Sequence, residues 1–365
     1  MNTISGLRTI LSGIFKADKR RVDCLAKMLL SIIVTETVNL TRLACMTFGK
    51  ACQMSHYRRL QRFFSLFRFD YNGLAKAIFA LFNLSEGKHY LILDRTNWQW
   101  GKRNINILML CIAYKKIGIP IFWVMLNKKG NSSTRERIAL VNRFIRIFGK
   151  TSIAGLLGDR EFIGKDWFCY LQRENIIFYF RVKKDADTQN ARGQSVQVGW
   201  LFHDTQINVA KPLKGLRSVY GQPLFITGMR LLDGEFLIVV SNSEAHCAIY
   251  IYVQRWEIET LFGCLKSKGF CFEETRLTEY ARVKKMVGVL ALAFCIAYKT
   301  GEWRHKSIKA IPLKKHGRPQ YNYFRYGLNW IKEKYGQFSE STHTLLISVI
   351  TGFFQTISVQ NQFIS

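Results

Sequence analysis

Three acidic residues stand where they can share divalent metal ions. Asp94 and Asp159 each follow a short apolar run and precede an arginine, and Glu259 lies in a later segment with helical periodicity. Three carboxylates supply the oxygen ligands that a pair of Mg²⁺ ions needs for phosphodiester chemistry. We therefore predict a catalytic metal site at these acids for two Mg²⁺ ions, with Mn²⁺ as a substitute. Taken singly, each aspartate has an alternative role as the N-cap of a following helix.

The segment around Glu259 also carries a polar stripe. If residues 251–266 form one helix that turns about 100° per residue, four side chains share an arc of about 60°. They are Tyr252, Arg255, Glu259 and Lys266. Glu257 falls on the other side. An acid flanked by two cations suits a place where a metal and DNA phosphates are held together. The alternative is a solvated helix face with ordinary ion pairs between successive turns.

Apolar runs bounded by turns predict the sheet that must position the two aspartates. The expected strands are 89–93, 105–114, 119–125, 153–157 and 176–181, and the expected helices are 134–148 and 165–174. Three strands that can form an antiparallel meander, followed by strands joined through helical crossovers, give the order of the RNase H-like fold. In that fold the first and fourth strands lie side by side, so Asp94 and Asp159 are expected to meet at strand ends.

The predicted fold class is therefore α/β: an RNase H-like mixed sheet with a β-rich insertion and helical regions at both ends. Short β-like pieces at 195–202, 223–231 and 235–240 define the insertion, after which a helix is expected from Ala245 to about Lys268. The expected regions are a helical DNA-binding domain (1–85), the first part of the core (86–181), the insertion (182–248), core-completing helices (249–300) and a helical C-terminal region (301–365).

The charge of the chain indicates a polyanionic partner. Lys and Arg total 54 against 25 Asp and Glu, a formal net charge of +29. DNA is the usual partner of such an excess, although a membrane surface or the ribosome is an alternative. A helix at 40–48 followed by a basic helix from Ser55 has the outline of a helix-turn-helix. Its predicted DNA-binding residues are Arg58, Arg59 and Arg62; the alternative is a helical hairpin with a solvated basic face.

Other classes of function lack their sequence signals. The nine cysteines form no CxxC pair, which argues against a zinc site and a disulfide framework. The sequence has no glycine-rich phosphate loop, so no nucleotide cofactor is expected. The longest apolar run, 286–298, is too short to cross a bilayer, and we find no signal peptide, so we expect a cytoplasmic protein without a membrane partner.

These motifs together resemble the DDE transposases of bacterial insertion sequences. The spacing Tyr252-x2-Arg255-x3-Glu259-x6-Lys266 is similar to the YREK signature of one cut-and-paste branch, and 91–96 and 159–162 resemble its two aspartate motifs. The resemblance implies that the three acids bind the metals, that Arg255 and Lys266 hold phosphates near the transposon end, and that Tyr252 positions that end.

The resemblance further implies strand nicking followed by transfer of the 3′-hydroxyl. It also implies a homodimer on paired ends, with transposon ends and target DNA as partners, in the bacterial cytoplasm with the nucleoid. Some members form a DNA hairpin through a Trp of the insertion. Here Trp200 is the only Trp in that region and lies far upstream of Tyr252, so we assign no such role. Two alternatives remain: a stand-alone RNase H-like nuclease or resolvase, and a non-catalytic DNA-binding repressor derived from a transposase.

Overall fold

The computed structural model describes residues 5–46, 51–244, 246–337 and 340–361. The chain divides into two compact units. One comprises Met1–Ser85, Trp98–Ile105 and Phe262–Ser365, and the other comprises Glu86–Asn97 and Asn106–Leu261. The predicted division into five regions is a finer one and remains a prediction.

The second unit is built on a mixed sheet, although the tip of its first hairpin, Trp98–Ile105, is counted with the first unit. Its strands are β1 (His89–Trp100), β2 (Arg103–Tyr114), β3 (Ile117–Met125), β4 (Ile153–Gly158), β5 (Phe178–Val182), β8 (Ala210–Pro212), β9 (Arg217–Val219), β10 (Gln222–Arg230) and β11 (Phe236–Ser241). They are hydrogen-bonded in the order β3-β2-β1-β4-β5-β11-β10-β8, with β9 paired to β10. Residues 105–112 of β2 are buried without alternation, as expected for a strand covered on both faces.

The first five strands have the topology that the sequence predicts. Only two residues separate β1 from β2, which requires an antiparallel hairpin, and β2 pairs antiparallel with β3. The β2–β3 turn places Lys115 and Lys116 at φ of 48° and 70°, which suits the type I′ turn of a two-residue hairpin. β4 is parallel to β1 and to β5. The fold is therefore RNase H-like, as predicted.

Two helices make the crossovers around β4. They are α6 (Thr134–Phe148) and α7 (Lys165–Arg173), and each agrees with its predicted range to within a residue. α6 begins at a reciprocal cap, in which the Ser133 hydroxyl accepts the Glu136 N–H and the Glu136 carboxylate accepts the Ser133 N–H. It ends at Gly149, whose φ of 81° favours glycine.

The predicted insertion, 182–248, is β-rich, but its longer strands belong to the main sheet. β11 pairs antiparallel with β5, and β10 and β8 continue the sheet beyond it. β6 (Asp187–Gln189) and β7 (Ser195–Gln197) form a separate two-stranded sheet within the described residues. The prediction of a strand at 195–202 is wrong for the residues after Gln197. There Val198 and Gly199 donate their N–H groups to Ala186 and Lys184, which turns the chain into the 3-10 helix Val198–Phe202.

The first unit is helical, as predicted for both ends of the chain. Its helices are α1 (Ser5–Ile14), α2 (Lys19–Thr35), α3 (Leu40–Met46), α4 (Gln53–Leu66), α5 (Tyr71–Leu81), α10 (Tyr280–Ser307), α11 (Tyr323–Gly336) and α12 (Glu340–Asn361). The end of the helix expected at 40–48 lies outside the described residues. The apolar run 286–298 is the buried middle of α10, which crosses α11 so closely that a Cβ at Gly301 would lie 1.8 Å from the Tyr323 carbonyl oxygen.

Among the described residues, no single helix is both long and apolar enough to cross a membrane. The bent pair α2–α3 passes that test jointly, by length and composition only.

Candidate active site

Asp94 and Asp159 directly follow the last register pair of two neighbouring parallel strands. Leu93 is the register partner of Gly158. Asp94 is the residue after Leu93, and Asp159 is the residue after Gly158. Adjacent strands lie about 4.8 Å apart, so the carboxyl groups leave the sheet at one place. The expectation that β1 ends at Asp94 is wrong, because β1 continues to Trp100 within the hairpin with β2. Its pairing with β4 nevertheless stops at Leu93, so the sheet opens at Asp94.

The two aspartates have matching local hydrogen bonds and different surroundings. In each, Oδ1 accepts the N–H of the following arginine at 2.7 Å. Burial raises the pKa of the Asp94 carboxyl to about 6, against the lowering effect of the Arg255 guanidinium, while the charges of Glu161 and Asp159 add to the rise. Asp94 is therefore a mostly buried acid whose negative charge its protein neighbours compensate only in part, and a bound cation stabilises such a charge.

The helix expected from Ala245 to about Lys268 is interrupted. Ala245 lies outside the described residues; α8 spans Ala248–Val253, a 3-10 turn spans Gln254–Trp256, and α9 spans Glu257–Leu265. A 3-10 turn advances about 120° per residue, so the calculated arc does not carry through it unchanged. The interruption coincides with Arg255, the residue that joins two of the predicted catalytic acids.

Arg255 bridges Asp94 and Glu259. Its NH1 donates to Asp94 Oδ2 at 3.0 Å and its NH2 donates to Glu259 Oε1 at 2.5 Å. Only 6% of the Arg255 side chain is exposed, against 52% of Glu259. Burial opposes the guanidinium charge, but Tyr252, Asp94 and Glu259 outweigh it and raise the pKa of Arg255. A permanent cation therefore lies between the strand-borne acid and the helix-borne acid.

Tyr252 and Lys266, the outer members of the predicted stripe, have different settings. Tyr252 is fully buried, with its ring centroid 6.0 Å from the Arg255 guanidinium, and burial raises its pKa. Lys266 follows the end of α9 and belongs to the first unit, where Nζ pairs with Glu273 at 2.7 Å and lies 5.4 Å from the Trp98 ring centroid. Their contacts with DNA remain predictions.

Glu257 has a structural partner. Its Oε2 accepts the N–H of Tyr114 at 2.6 Å, and burial raises its pKa. It thus caps the end of β2, whereas Glu259 is the acid of α9 that joins the Arg255 bridge.

A second charged network, which the sequence analysis missed, holds the two aspartate segments together. Arg95, next to Asp94, donates Nε to both oxygens of Glu161 at 3.1 Å and NH2 to Oε2 at 2.9 Å. It also donates NH1 to Asn106 Oδ1 at 3.0 Å. Glu161 is two residues beyond Asp159, so this pair ties the end of the β1–β4 pairing to the loop after β4. We call Arg95 and Glu161 the strand-end clamp.

Arg137 of α6 holds the backbone of the clamp residue Glu161. It is 4% exposed and donates NH2 to the carbonyl oxygens of Glu161 and Ser132, both at 2.7 Å. The signal for this residue is in the sequence. Arg137 shares the face of the apolar Leu140, Val141 and Phe144 at helical spacing, and a buried arginine requires specific acceptors.

The three predicted DNA-binding arginines of α4, Arg58, Arg59 and Arg62, are all exposed. The same helix buries His56, Leu60, Phe63 and Phe64. Their role in binding DNA remains a prediction.

The donor set suits hard divalent cations, since all three predicted ligands are carboxylates. Among the described residues, however, no group of three His, Cys, Asp or Glu side chains already has a metal-binding arrangement. Arg255 takes one oxygen from each of Asp94 and Glu259. Each carboxylate keeps a second oxygen, and the half-exposed Glu259 is the more adjustable of the two acids that Arg255 joins.

Comparison with known protein families identifies the family of this chain. A family described as "Transposase DDE domain" matches residues 86–296, more than half of the chain and a span that includes all three acids. The chain belongs to the DDE transposase family. It is therefore an enzyme that cleaves DNA strands and joins them to new partners.

Two further comparisons complete the description of this DDE transposase. A search of curated proteins found no match. Among solved structures, the chain is similar to one described as the piggyBac transposase synaptic complex with hairpin DNA. The sequence identity is 10% and the TM-score 0.46, and the match covers 92% of this chain and 76% of the other.

Proposed function

We propose that this transposase moves an insertion sequence by a cut-and-paste route, and that Asp94, Asp159 and Glu259 hold two Mg²⁺ ions for the cleavage and joining steps. The observation that carries the proposal is that Asp94 and Asp159 directly follow the last register pair of two adjacent parallel strands, with Glu259 linked to Asp94 through Arg255. Divalent cations at such a site lower the pKa of the attacking water or 3′-hydroxyl and stabilise the leaving oxygen.

The residues of the chain have separate tasks in this scheme. Asp94 and Asp159 provide fixed ligands, since both leave the sheet where the β1–β4 pairing ends. Glu259 provides the adjustable ligand because about half of its side chain is exposed. Arg255 keeps its positive charge beside the acids. If Glu259 moves to a bound metal, the NH2 group of Arg255 becomes free to donate to a DNA phosphate.

DNA recognition and assembly extend the proposal. The YREK-like spacing of Tyr252, Arg255, Glu259 and Lys266 supports the proposal that the chain belongs to that branch of bacterial insertion-sequence enzymes. Through them it holds the transposon end, with the exposed arginines of α4 as further contacts. In this scheme two copies act on paired transposon ends, with the nucleoid in the bacterial cytoplasm. Light scattering on the protein, with and without duplexes of the transposon end, tests whether it forms a dimer.

A plasmid excision assay tests the proposal. The substrate carries the inverted repeats that flank the gene, and the reaction contains the protein and Mg²⁺. We expect double-strand cuts at both ends, release of the intervening segment and its joining to a second plasmid. Cutting without joining would contradict the cut-and-paste route and favour a nuclease.

Isosteric variants locate the chemistry. Loss of one metal-binding carboxylate removes several kcal/mol of transition-state stabilisation, so Asp159→Asn and Glu259→Gln should each slow excision at least about 100-fold. The matched control is Asp233→Asn in the exposed β10–β11 turn, where the same charge is lost from a residue outside the predicted site. Excision by Asp159→Asn at the rate of the control would refute the assigned site.

A further inference from the structure

The first unit contains a large open cleft with a basic lining. It lies between α1, α2 and α4, and its volume is about 1170 Å³. Seven Lys and Arg residues line it against two Asp residues, so the lining carries five net positive charges (7 − 2). Like charges in one concave surface repel each other, and such a surface attracts polyanions.

Four of the lining cations are available to a ligand. Lys19, Arg20, Arg59 and Arg62 are exposed, and none has an ion pair within the described part of the chain. Two come from the first turn of α2 and two from α4. Asp18, which precedes Lys19 in the chain, is engaged as the N-cap of α2, where it accepts the Arg20 N–H at 2.9 Å.

The remaining cations hold the walls in place. Arg8 of α1 and Lys27 of α2 both pair with Asp23, each at 3.0 Å. Arg21 donates to the carbonyl oxygen of Leu66 at the end of α4, at 3.3 Å. The three helices are therefore joined across the cleft by groups that a ligand need not disturb.

The lining indicates what part of a nucleic acid the cleft accepts. In the described structure, Phe63 is the one aromatic side chain of the lining, and it is 3% exposed. Proteins that hold single strands by their bases present exposed aromatic rings for stacking. Flexible cations without such rings suit phosphates instead.

We propose that this basic cleft binds the sugar–phosphate backbone of one strand of duplex DNA, without reading the bases, through Lys19, Arg20, Arg59 and Arg62. The proposal rests on the proposed function, since a transposase must hold both its own ends and unrelated target DNA. The proposal also assigns different roles to the three exposed arginines of α4. Arg59 and Arg62 line the cleft, whereas Arg58 does not.

The salt dependence of DNA binding tests this proposal. Each phosphate contact contributes about 0.9 to the slope of log affinity against log salt concentration. Lys19→Gln, Arg20→Gln, Arg59→Gln and Arg62→Gln should each lower that slope by about 0.9, equally on a transposon-end duplex and on a scrambled duplex of the same length. Between 50 and 200 mM salt, each variant should lose about 3.5-fold less affinity than the wild type, and the quadruple variant about 150-fold less.

Two variants serve as comparisons. Lys76→Gln removes one exposed charge from α5 in the same unit and should leave the slope unchanged. Arg58→Gln removes the arginine next to Arg59 on the same helix. Because Arg58 does not line the cleft, this change should lower the salt slope by less than Arg59→Gln does. Exposed substitutions of this kind change the free energy of unfolding by less than about 0.5 kcal/mol, so loss of the fold does not explain the result.

Unchanged slopes in the four cleft variants would overturn the proposal, as would equal effects of Arg58→Gln and Arg59→Gln. A loss confined to the end sequence would also overturn it and would assign α4 to base reading. The proposed function is judged separately, by whether Asp159→Asn loses excision while its salt slope stays at the wild-type value.

Discussion

The strand-end clamp sets how far apart the two aspartate segments lie. Arg95 is 13% exposed and Glu161 is 19% exposed, and both Nε and NH2 of Arg95 donate to the Glu161 carboxylate. Replacing Arg95 with Met removes the cation and leaves the Glu161 carboxylate and Asn106 Oδ1 without that donor. Breaking one side of a mostly buried pair costs about 3–5 kcal/mol, and the remaining exposure of these groups places the expected loss near the lower limit, about 3 kcal/mol.

A double-mutant cycle measures this value. Arg95→Met, Glu161→Met and the double variant are unfolded in urea, and their free energies of unfolding are compared. Each single variant should lose about 3 kcal/mol, whereas the double variant should lose less than the sum by about 2 kcal/mol because no unpaired charge remains. Excision should fall in all three, since the Asp94 and Asp159 segments are no longer tied.

Additive losses, or a loss below about 1 kcal/mol in Arg95→Met, would refute the clamp, because such small effects are typical of exposed ion pairs. Arg95→Lys is the conservative comparison. It keeps the charge but not the planar fork, so it should recover only part of the stability and of the excision rate.

Three further outcomes follow from the structure. Hydrogen bonds from Lys332 and Arg325 outweigh burial and lower the pKa of Glu36 below its ordinary 4.5. The Glu36 ion pairs should therefore stabilise the fold above pH 4.5, and the gap in urea midpoint between wild type and Glu36→Gln should close as the pH falls below that value. Glu257→Gln keeps an acceptor for the Tyr114 N–H, so it should excise at near the wild-type rate in the plasmid assay. Chelation with EDTA should stop excision, and added Mn²⁺ should restore it, without a change in the circular dichroism spectrum.

The sheet was predictable because its strands are strongly patterned. The runs before Asp94 and Asp159 are short, apolar and bounded by polar residues, and a parallel pair of such strands places both acids at one edge. The full length of β1 was not predictable, because residues 95–100 mix polar side chains with Trp98 and Trp100 and so do not continue the apolar run. They belong to a hairpin in which they pair with β2. Pairing between strands distant in sequence likewise decided that β10 and β11 extend the main sheet.

The sequence indicated candidate residues for the site, but it did not indicate their contacts. The calculated arc grouped Arg255 with Glu259 and set Glu257 apart, yet it assumed a continuous helix and missed the 3-10 turn. The clamp was also missed, because the partners Arg95 and Glu161 are 66 residues apart in the chain. Patterns within one element carry no information about such pairs.

Mn²⁺ binding in the presence of an end duplex tests the central claim most directly, namely that the three acids hold cations jointly. Titration followed by electron paramagnetic resonance should give two ions per chain in the wild type and in Asp233→Asn. Asp94→Asn, Asp159→Asn and Glu259→Gln should each lose at least one of those ions. Two ions bound with wild-type affinity in any of these three variants would contradict a shared site.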